Sequence, residues 1–248
     1  MFLIAEPCGS NQEHAAVNEN PKCLGRLCRK VKLDAAHPTI PALAELLPDA
    51  EIGGGSFAHW LQHPIQVAAE RRAGVFKTAQ KSALEQCLRG LLGQLGLPAN
   101  TKVRTGRDGQ RLWPSGYVGS ITHKGTVVLG AVASAATLRS FGIDLERIGP
   151  REDPRIGTFI AFEGLPPGAH SDSGTLIAFS VKEAVFKAFY FLQRKRLKFS
   201  DIRLVWSRRD FDRQEASAEC PGSVSFIVRW KRVDKWIVSA AVPGSLDP

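Results

Sequence analysis

Six residues just past the middle of the chain, Phe141-Gly142-Ile143-Asp144-Leu145-Glu146, constrain it most, because apolar and polar or small residues alternate without a break. Phe141, Ile143 and Leu145 leave one side of an extended chain and Gly142, Asp144 and Glu146 the other, the period of a half-buried strand. At a strand rise of about 3.3 Å per residue the two carboxylates stand about 6.6 Å apart. With an effective dielectric of about 20 they repel by about 2.5 kcal/mol, so a fold that holds them side by side needs positive charge close by. A divalent cation is one solution, since hard cations such as Mg²⁺ are held by one or two carboxylates plus substrate phosphates. A solvated strand face with Arg147 as neighbour is the other. Because the acids repel, removing either one is expected to spare the strand.

Around that strand the chain divides unevenly. Residues up to about Ala44 mix Asn, Glu, Lys, Pro and Cys without a helical or strand period, and Pro38 and Pro41 interrupt whatever begins there. Residues 1–44 are therefore expected to be a loose extension. The stretch from Leu46 to Ser56 reads as strand or loop, and His59 and His63, four apart, read as surface histidines because Pro64 follows and no third ligand is near. From Phe76, the residues Ala79, Ala83, Leu84, Cys87, Leu88, Leu91, Leu92 and Leu95 keep helical spacing, with Lys77 and Lys81 on the polar side and Arg71 and Arg72 upstream. A turn-rich loop over Thr105 to Gly116 leads into a strand ending in Ser120, Thr122 and His123, then a turn at Lys124-Gly125 and an apolar strand from Thr126 to Ala133.

After Arg147, Pro, Gly and charge predominate, with one short helix expected around Arg155 to Phe162. A second amphipathic helix is predicted from Phe179, where Ser180 and Glu183 match a capping box. Glu183 and Lys187 then lie one turn apart near a helix start, a corner suited to phosphate. A basic run, Arg194-Lys195-Arg196, precedes strands over Ser200 to Trp206, Ser223 to Trp230 and Trp236 to Val242. The 33 basic against 24 acidic residues give a net charge of +9, which favours a polyanionic or acidic partner without choosing among them. The five cysteines are scattered, with no C-x-x-C pair, and read as reduced thiols of a cytoplasmic protein. The N-terminal apolar run meets Glu6 and Pro7 at once, too short for a signal peptide, and no run is long enough to span a bilayer.

Four segments in this order, W-P-S-G-Y-V-G-S-I-T-H at Trp113 to His123, F-G-I-D-L-E at Phe141 to Glu146, F-S-V-K-E-A-V-F-K-A at Phe179 to Ala188 and L-K-F-S-D-I at Leu197 to Ile202, resemble the 4′-phosphopantetheinyl transferases of the surfactin and enterobactin type. The resemblance runs from about Leu46 to the C-terminus. It implies an α/β (α+β) fold of two similar halves forming a pseudo-dimer, residues 45–139 and 140–248, with the active site at their interface. It implies coenzyme A as co-substrate and a Mg²⁺ ion, or Mn²⁺ in its place, held by Asp144, Glu146 and Glu183, with Asp144, Glu183 and Lys187 as the catalytic residues. Lys187 would reach the coenzyme A phosphates, Ser120 and His123 would contact phosphate, the loop from Arg107 through Gly109 to Arg111 would border the adenine, and Arg71, Arg72 and Lys81 would meet the 3′-phosphate. Relatives of the enterobactin type carry Gly-Arg where this chain has Gln80-Lys81, which exchanges a forked donor for a point charge.

The implied reaction moves phosphopantetheine to a serine of an apo acyl or peptidyl carrier protein and releases adenosine 3′,5′-bisphosphate. Its barrier is mainly charge on phosphate, which a divalent cation and Lys187 would offset. Glu183 has two candidate roles, third metal ligand or general base for the serine proton. The implied partner is a carrier with an acidic surface, met by a monomer, with no membrane and no nucleic acid involved. A Mg²⁺-dependent phosphohydrolase using the same acids and a basic nucleic-acid-binding module are the competing readings; no zinc finger, RNA motif or recognition helix supports the second.

Overall fold

The computed structural model describes residues 31–61, 69–107, 109–149, 156, 166, 171–206 and 214–244. The expected helix around Arg155 to Phe162 lies almost wholly outside these residues, as does His63, while Ile156 is helical. The helical period found from Phe76 belongs to a longer helix, α2 (Ala69–Gln94), whose Ala79, Ala83, Cys87 and Leu91 are buried against a three-stranded antiparallel sheet. That sheet is ordered β1-β5-β4, from β1 (Glu51–Ser56), β4 (Tyr117–Lys124) and β5 (Val127–Ser134). The loop before β4 contains a two-residue ladder, β2 (Arg104–Thr105) with β3 (Arg111–Leu112).

The second sheet has five antiparallel strands ordered β6-β10-β9-β8-β7: β6 (Gly142–Arg147), β7 (Arg203–Val205), β8 (Glu215–Cys220), β9 (Val224–Val233) and β10 (Trp236–Pro243). Helix α3 (Ser171–Gln193) packs on β6 and β10. The chain is thus α+β.

Three features differ from the sequence reading. Strand β6 is buried on both faces, since α3 covers the Gly142 side and an apolar cluster the Ile143 side. Strand contact with a helix is possible there because Gly142 has no side chain: a Cβ would stand 2.0 Å from the Ala184 carbonyl oxygen and 2.7 Å from the Ala188 nitrogen. Gly142→Ala is expected to cost about 1–3 kcal/mol by overpacking, measured as a fall in the urea midpoint at unchanged slope. An unchanged midpoint would mean that α3 shifts freely.

The second difference is the start of α3, eight residues before Phe179. Leu176, Ile177 and Ala178 are buried in line with Val181, Ala184 and Val185, so the apolar face continues upstream. Ser180 is consequently mid-helix rather than a cap, and Glu183 and Lys187 are not at a helix N-terminus.

Third, residues 31–44, placed in the loose extension by the sequence reading, are folded. Asp34 bridges Ser56, and α1 (Thr39–Leu46) buries Ala42, Leu43 and Leu46. Pro38 sits at the N-cap and Pro41 in the first turn, where the missing N–H has no intrahelical partner to lose. Leu43, Leu46 and Leu47 share one cluster with Leu129 and Ala131 of β5, Ile143 and Leu145 of β6, and Val238 and Ala240 of β10. Val128 and Val132 of β5 meet α2, and Ile237 and Ala241 of β10 meet α3. So α2 and α3 each cover one face of their own sheet, while α1 packs on the opposite faces of both.

Candidate active site

The two sheets adjoin where β4 runs beside β6, but no backbone ladder joins them. Side chains do so instead. The Ile143 N–H donates to Ser120 Oγ at 3.1 Å, and the Ile143 carbonyl accepts from Lys187 Nζ at 2.9 Å. Both backbone groups of one edge residue are thereby satisfied without a neighbouring strand.

Next to that residue, Asp144 is 4% exposed and accepts three hydrogen bonds. Its Oδ1 takes Lys187 Nζ at 2.8 Å and Thr122 Oγ1 at 3.2 Å, and its Oδ2 takes Ser180 Oγ at 3.0 Å. Ser180 has one proton and gives it to Asp144, so the 2.7 Å contact with Ser239 is a bond that Ser239 donates. Glu146 is also buried, and its Oε2 pairs with Lys124 Nζ. The positive charge that paired carboxylates require is therefore present as two lysines, one per acid. The solvated-face reading with Arg147 does not hold, because both acids are buried.

Burial, followed by the opposing pull of Lys187 and the repulsion of Asp144 and Glu146, leaves Glu183 above the usual carboxylate range. Glu146 is raised too, by burial first, against the Lys124 bond and with repulsion from Asp144. His123 is lowered by partial burial of its ring and by Lys187. Among the described residues no three His, Cys, Asp or Glu side chains form a ready cage for a cation.

A raised carboxyl pKa means that the folded chain holds the proton more tightly than the unfolded chain. The charged form then costs stability above the folded pKa, and that cost fades as pH falls towards the ordinary value of a free glutamate, about 4.3. Glu183→Gln is expected to raise the melting temperature at pH 8 by about 1–3 °C, with the advantage shrinking as pH falls to about 5. A calorimetric difference between variant and parent that does not change with pH would contradict this.

A cleft of about 450 Å³ opens beside these groups. The β2–β3 loop lines one side with Gly109 and Arg111, β4 contributes Ser120, and α3 contributes Lys187 together with Phe186, Tyr190 and Phe191; Arg196 joins them from beyond the helix. Gly109 has φ +81°, a turn conformation favouring glycine, and Arg111 donates to Thr105 Oγ1 at 2.8 Å within the loop. Of the expected site residues, the structure brings Gly109, Arg111, Ser120 and Lys187 to the cleft, with Asp144 bonded to Lys187 and with Glu146 and Glu183 within electrostatic reach of them.

Others stand apart from the cleft lining. His123 points to the opposite face of β4 from Ser120, where its Nδ1 is 3.3 Å from Gln80 Nε2, although it still feels Lys187, Asp144 and Arg111. Arg107 and Lys81 are exposed. The backbone at Arg71 and Arg72 is helical, and their side chains lie outside the description.

Sequence reasoning left Thr122, Lys124, Ser180 and Ser239 without a role in the site. Thr122 and Lys124 were findable, because they follow Ser120 at period two on one strand face. Phe186 and Tyr190 likewise share a helical stripe with Glu183 and Lys187. Ser180 was hidden by its match to a cap.

Residues 85–133 match the family model described as the 4′-phosphopantetheinyl transferase N-terminal domain. Over 182 residues the chain is 34% identical to the 4′-phosphopantetheinyl transferase Svp of Streptomyces mobaraensis, covering 66% of this chain and 71% of that one. It is 28% identical to the 4′-phosphopantetheinyl transferase Npt of Nocardia iowensis over 200 residues, 72% of this chain and 86% of that one. With the 4′-phosphopantetheinyl transferase PptT of Mycobacterium tuberculosis it shares 31% identity over 133 residues, 50% and 56% of the two chains. Similarity of this degree across most of a relative's length is that of common descent with a retained fold, and the chain belongs to the 4′-phosphopantetheinyl transferase family of enzymes.

Proposed function

We propose that this protein transfers the 4′-phosphopantetheine group of coenzyme A to a serine of an apo acyl or peptidyl carrier protein, releasing adenosine 3′,5′-bisphosphate. The observation that carries the reading is Lys187: it lines the cleft while bound to Asp144 and to the Ile143 carbonyl, which leaves its third proton for an anion in the cleft. Ser120 is placed in the same way. Its oxygen is occupied by the Ile143 N–H, so its own proton can donate to a phosphate oxygen.

In the transfer, the carrier serine oxygen forms a bond to the phosphorus next to pantetheine, the bridging pyrophosphate bond breaks, and the serine proton must leave. Glu183 has two candidate duties, cation ligand and acceptor of that proton. Asp144 and Glu146, with Glu183, would hold Mg²⁺ or Mn²⁺. The fit lies in the donor chemistry: an all-carboxylate set of hard oxygen ligands, two of whose members burial holds above the usual carboxylate range. Such a cation supplies neutralisation of pyrophosphate charge. In this reading the loop from Arg107 through Gly109 to Arg111 would border the adenine, Ser120 and His123 would contact phosphate, and Arg71, Arg72 and Lys81 would meet the 3′-phosphate.

We take residues 45–139 and 140–248 as the two halves of a pseudo-dimer, each a sheet with a long helix, joined at Ser140. The carrier surface is acidic, matched to the +9 chain and to the exposed Arg194 and Lys195 beyond α3.

The test is to incubate the protein with coenzyme A, Mg²⁺ and a panel of apo carriers and to weigh the products. A mass gain of one phosphopantetheine, absent when the acceptor serine is alanine, is expected. An unmodified panel in the presence of folded, coenzyme-A-binding protein sinks the transferase reading, and release of inorganic phosphate from simple esters would replace it with phosphohydrolysis.

A further inference from the structure

The neighbours Lys182 and Glu183 are both charged, yet they leave α3 in different directions. Glu183 is partly open on the site side, whereas Lys182 is 2% exposed and among the largest fully buried side chains. Its ammonium donates to the Phe199 carbonyl at 3.0 Å. Burying an ammonium is expensive, and a methionine would fill the same space without that cost, so packing does not call for the charge. One point that the charge reaches lies on the backbone, at the Phe199 carbonyl.

That point is where a basic strap ends. The chain leaves α3 at Arg194, in a left-handed conformation with φ 55°, its N–H bonded to the Tyr190 carbonyl at 2.8 Å. It runs through Arg196, which lines the cleft, and re-enters regular structure in the single 3₁₀ turn Phe199–Asp201. Three contacts fix the far end. Lys182 holds the Phe199 carbonyl; the Phe199 ring stacks on Phe179 at 5.7 Å and on Phe186 at 6.2 Å; and the Lys198 N–H donates to the Asp201 carboxylate at 3.0 Å. Phe186 is itself a wall of the cleft, so strap and wall share one anchor.

We propose that Lys182 is a positioning residue: by holding the Phe199 carbonyl it fixes the Arg194–Lys198 strap against α3 and so presents the Arg196 guanidinium to the anionic part of the cleft's ligand. The identity of that ligand as coenzyme A rests on the function proposed above; the strap geometry does not. Guanidinium suits the task because its planar fork can take two phosphate oxygens at once.

The experiment has a ligand-free arm and a ligand arm, on the full chain. Trypsin cleaves after Arg194, Lys195, Arg196 and Lys198, so its rate within the strap reports strap order directly. Lys182→Met is expected to speed that cleavage about tenfold with the melting temperature unchanged or raised. Phe199→Leu, which weakens the same anchor without touching the buried charge, should do the same and serves if the Met variant does not fold.

In the second arm, calorimetric Kd values for coenzyme A should rise about tenfold in Lys182→Met and in Arg196→Ala, and in the double variant by no more than in Arg196→Ala alone, because both substitutions remove one interaction. Strap cleavage unchanged in both anchor variants, or Kd effects that multiply in the double variant, would overturn the proposal. A parent protein that does not bind coenzyme A, with strap cleavage still faster in the variants, would retire coenzyme A as ligand and leave Lys182 as the anchor.

Discussion

Asp144→Asn should cut carrier-modifying turnover by about 10²–10³-fold while the protein stays folded. The Asn side chain keeps an oxygen for Thr122 or Ser180 but loses the charge that orders Lys187 at the cleft. Asp144→Ala should do more harm. It leaves the partly buried Lys187 ammonium and the buried Ser180 and Thr122 hydroxyls short of an acceptor, and breaking a buried pair in this way costs about 3–5 kcal/mol. The simple repulsion argument, by which either acid could be removed without structural cost, therefore fails at Asp144: the lysine and two hydroxyls have turned a repelled carboxylate into a joint. Measuring turnover and melting temperature on both variants separates the roles. If the Asn variant kept parental turnover while the Ala variant unfolded, Asp144 would be a structural joint alone.

Leu43→Ala is the second large effect, about 3–5 kcal/mol of stability and a melting temperature lower by about 6–15 °C. Leu43 is completely buried in the cluster that α1 shares with β5, β6 and β10, so its truncation leaves a cavity under both sheets at once. Deleting the chain through Leu47 should prevent folding altogether, since three leucines leave that cluster together. A soluble, cooperatively melting deletion product would show that the sheets hold each other without α1, as the reading of residues 1–44 as a loose extension requires.

What was legible in the sequence was periodic. The alternation at Phe141–Glu146, the helical spacing from Phe76 and the paired runs around Lys124-Gly125 each became the element expected, because a buried stripe leaves its period in the residue order. Strand β8 left a faint trace: its buried side is Ala216, Ala218 and Cys220, small residues without strong strand preference. Helix α1 was masked by two prolines whose harm depends on where the helix begins. The pairing of each lysine with its acid was illegible for a different reason, even where the lysine's strand face was not. Lys124 meets Glu146 and Lys187 meets Asp144 only after two sheets and a helix have docked, and nothing local in the sequence encodes that docking.

The open seam between β4 and β6 explains why there is a slot at all. Strands joined by a ladder lie about 4.8 Å apart and leave no room between them. Had Ile143 offered its N–H and carbonyl to β4 directly, eight strands would have zipped into one continuous sheet, stronger and featureless. Ser120 and Lys187 take those two groups instead and act as spacers. Replacing both with alanine would remove more than two polar contacts from the cleft; it would free two adjoining sheet edges to pair, and the molecule could gain backbone hydrogen bonds by closing the space in which its ligand sits.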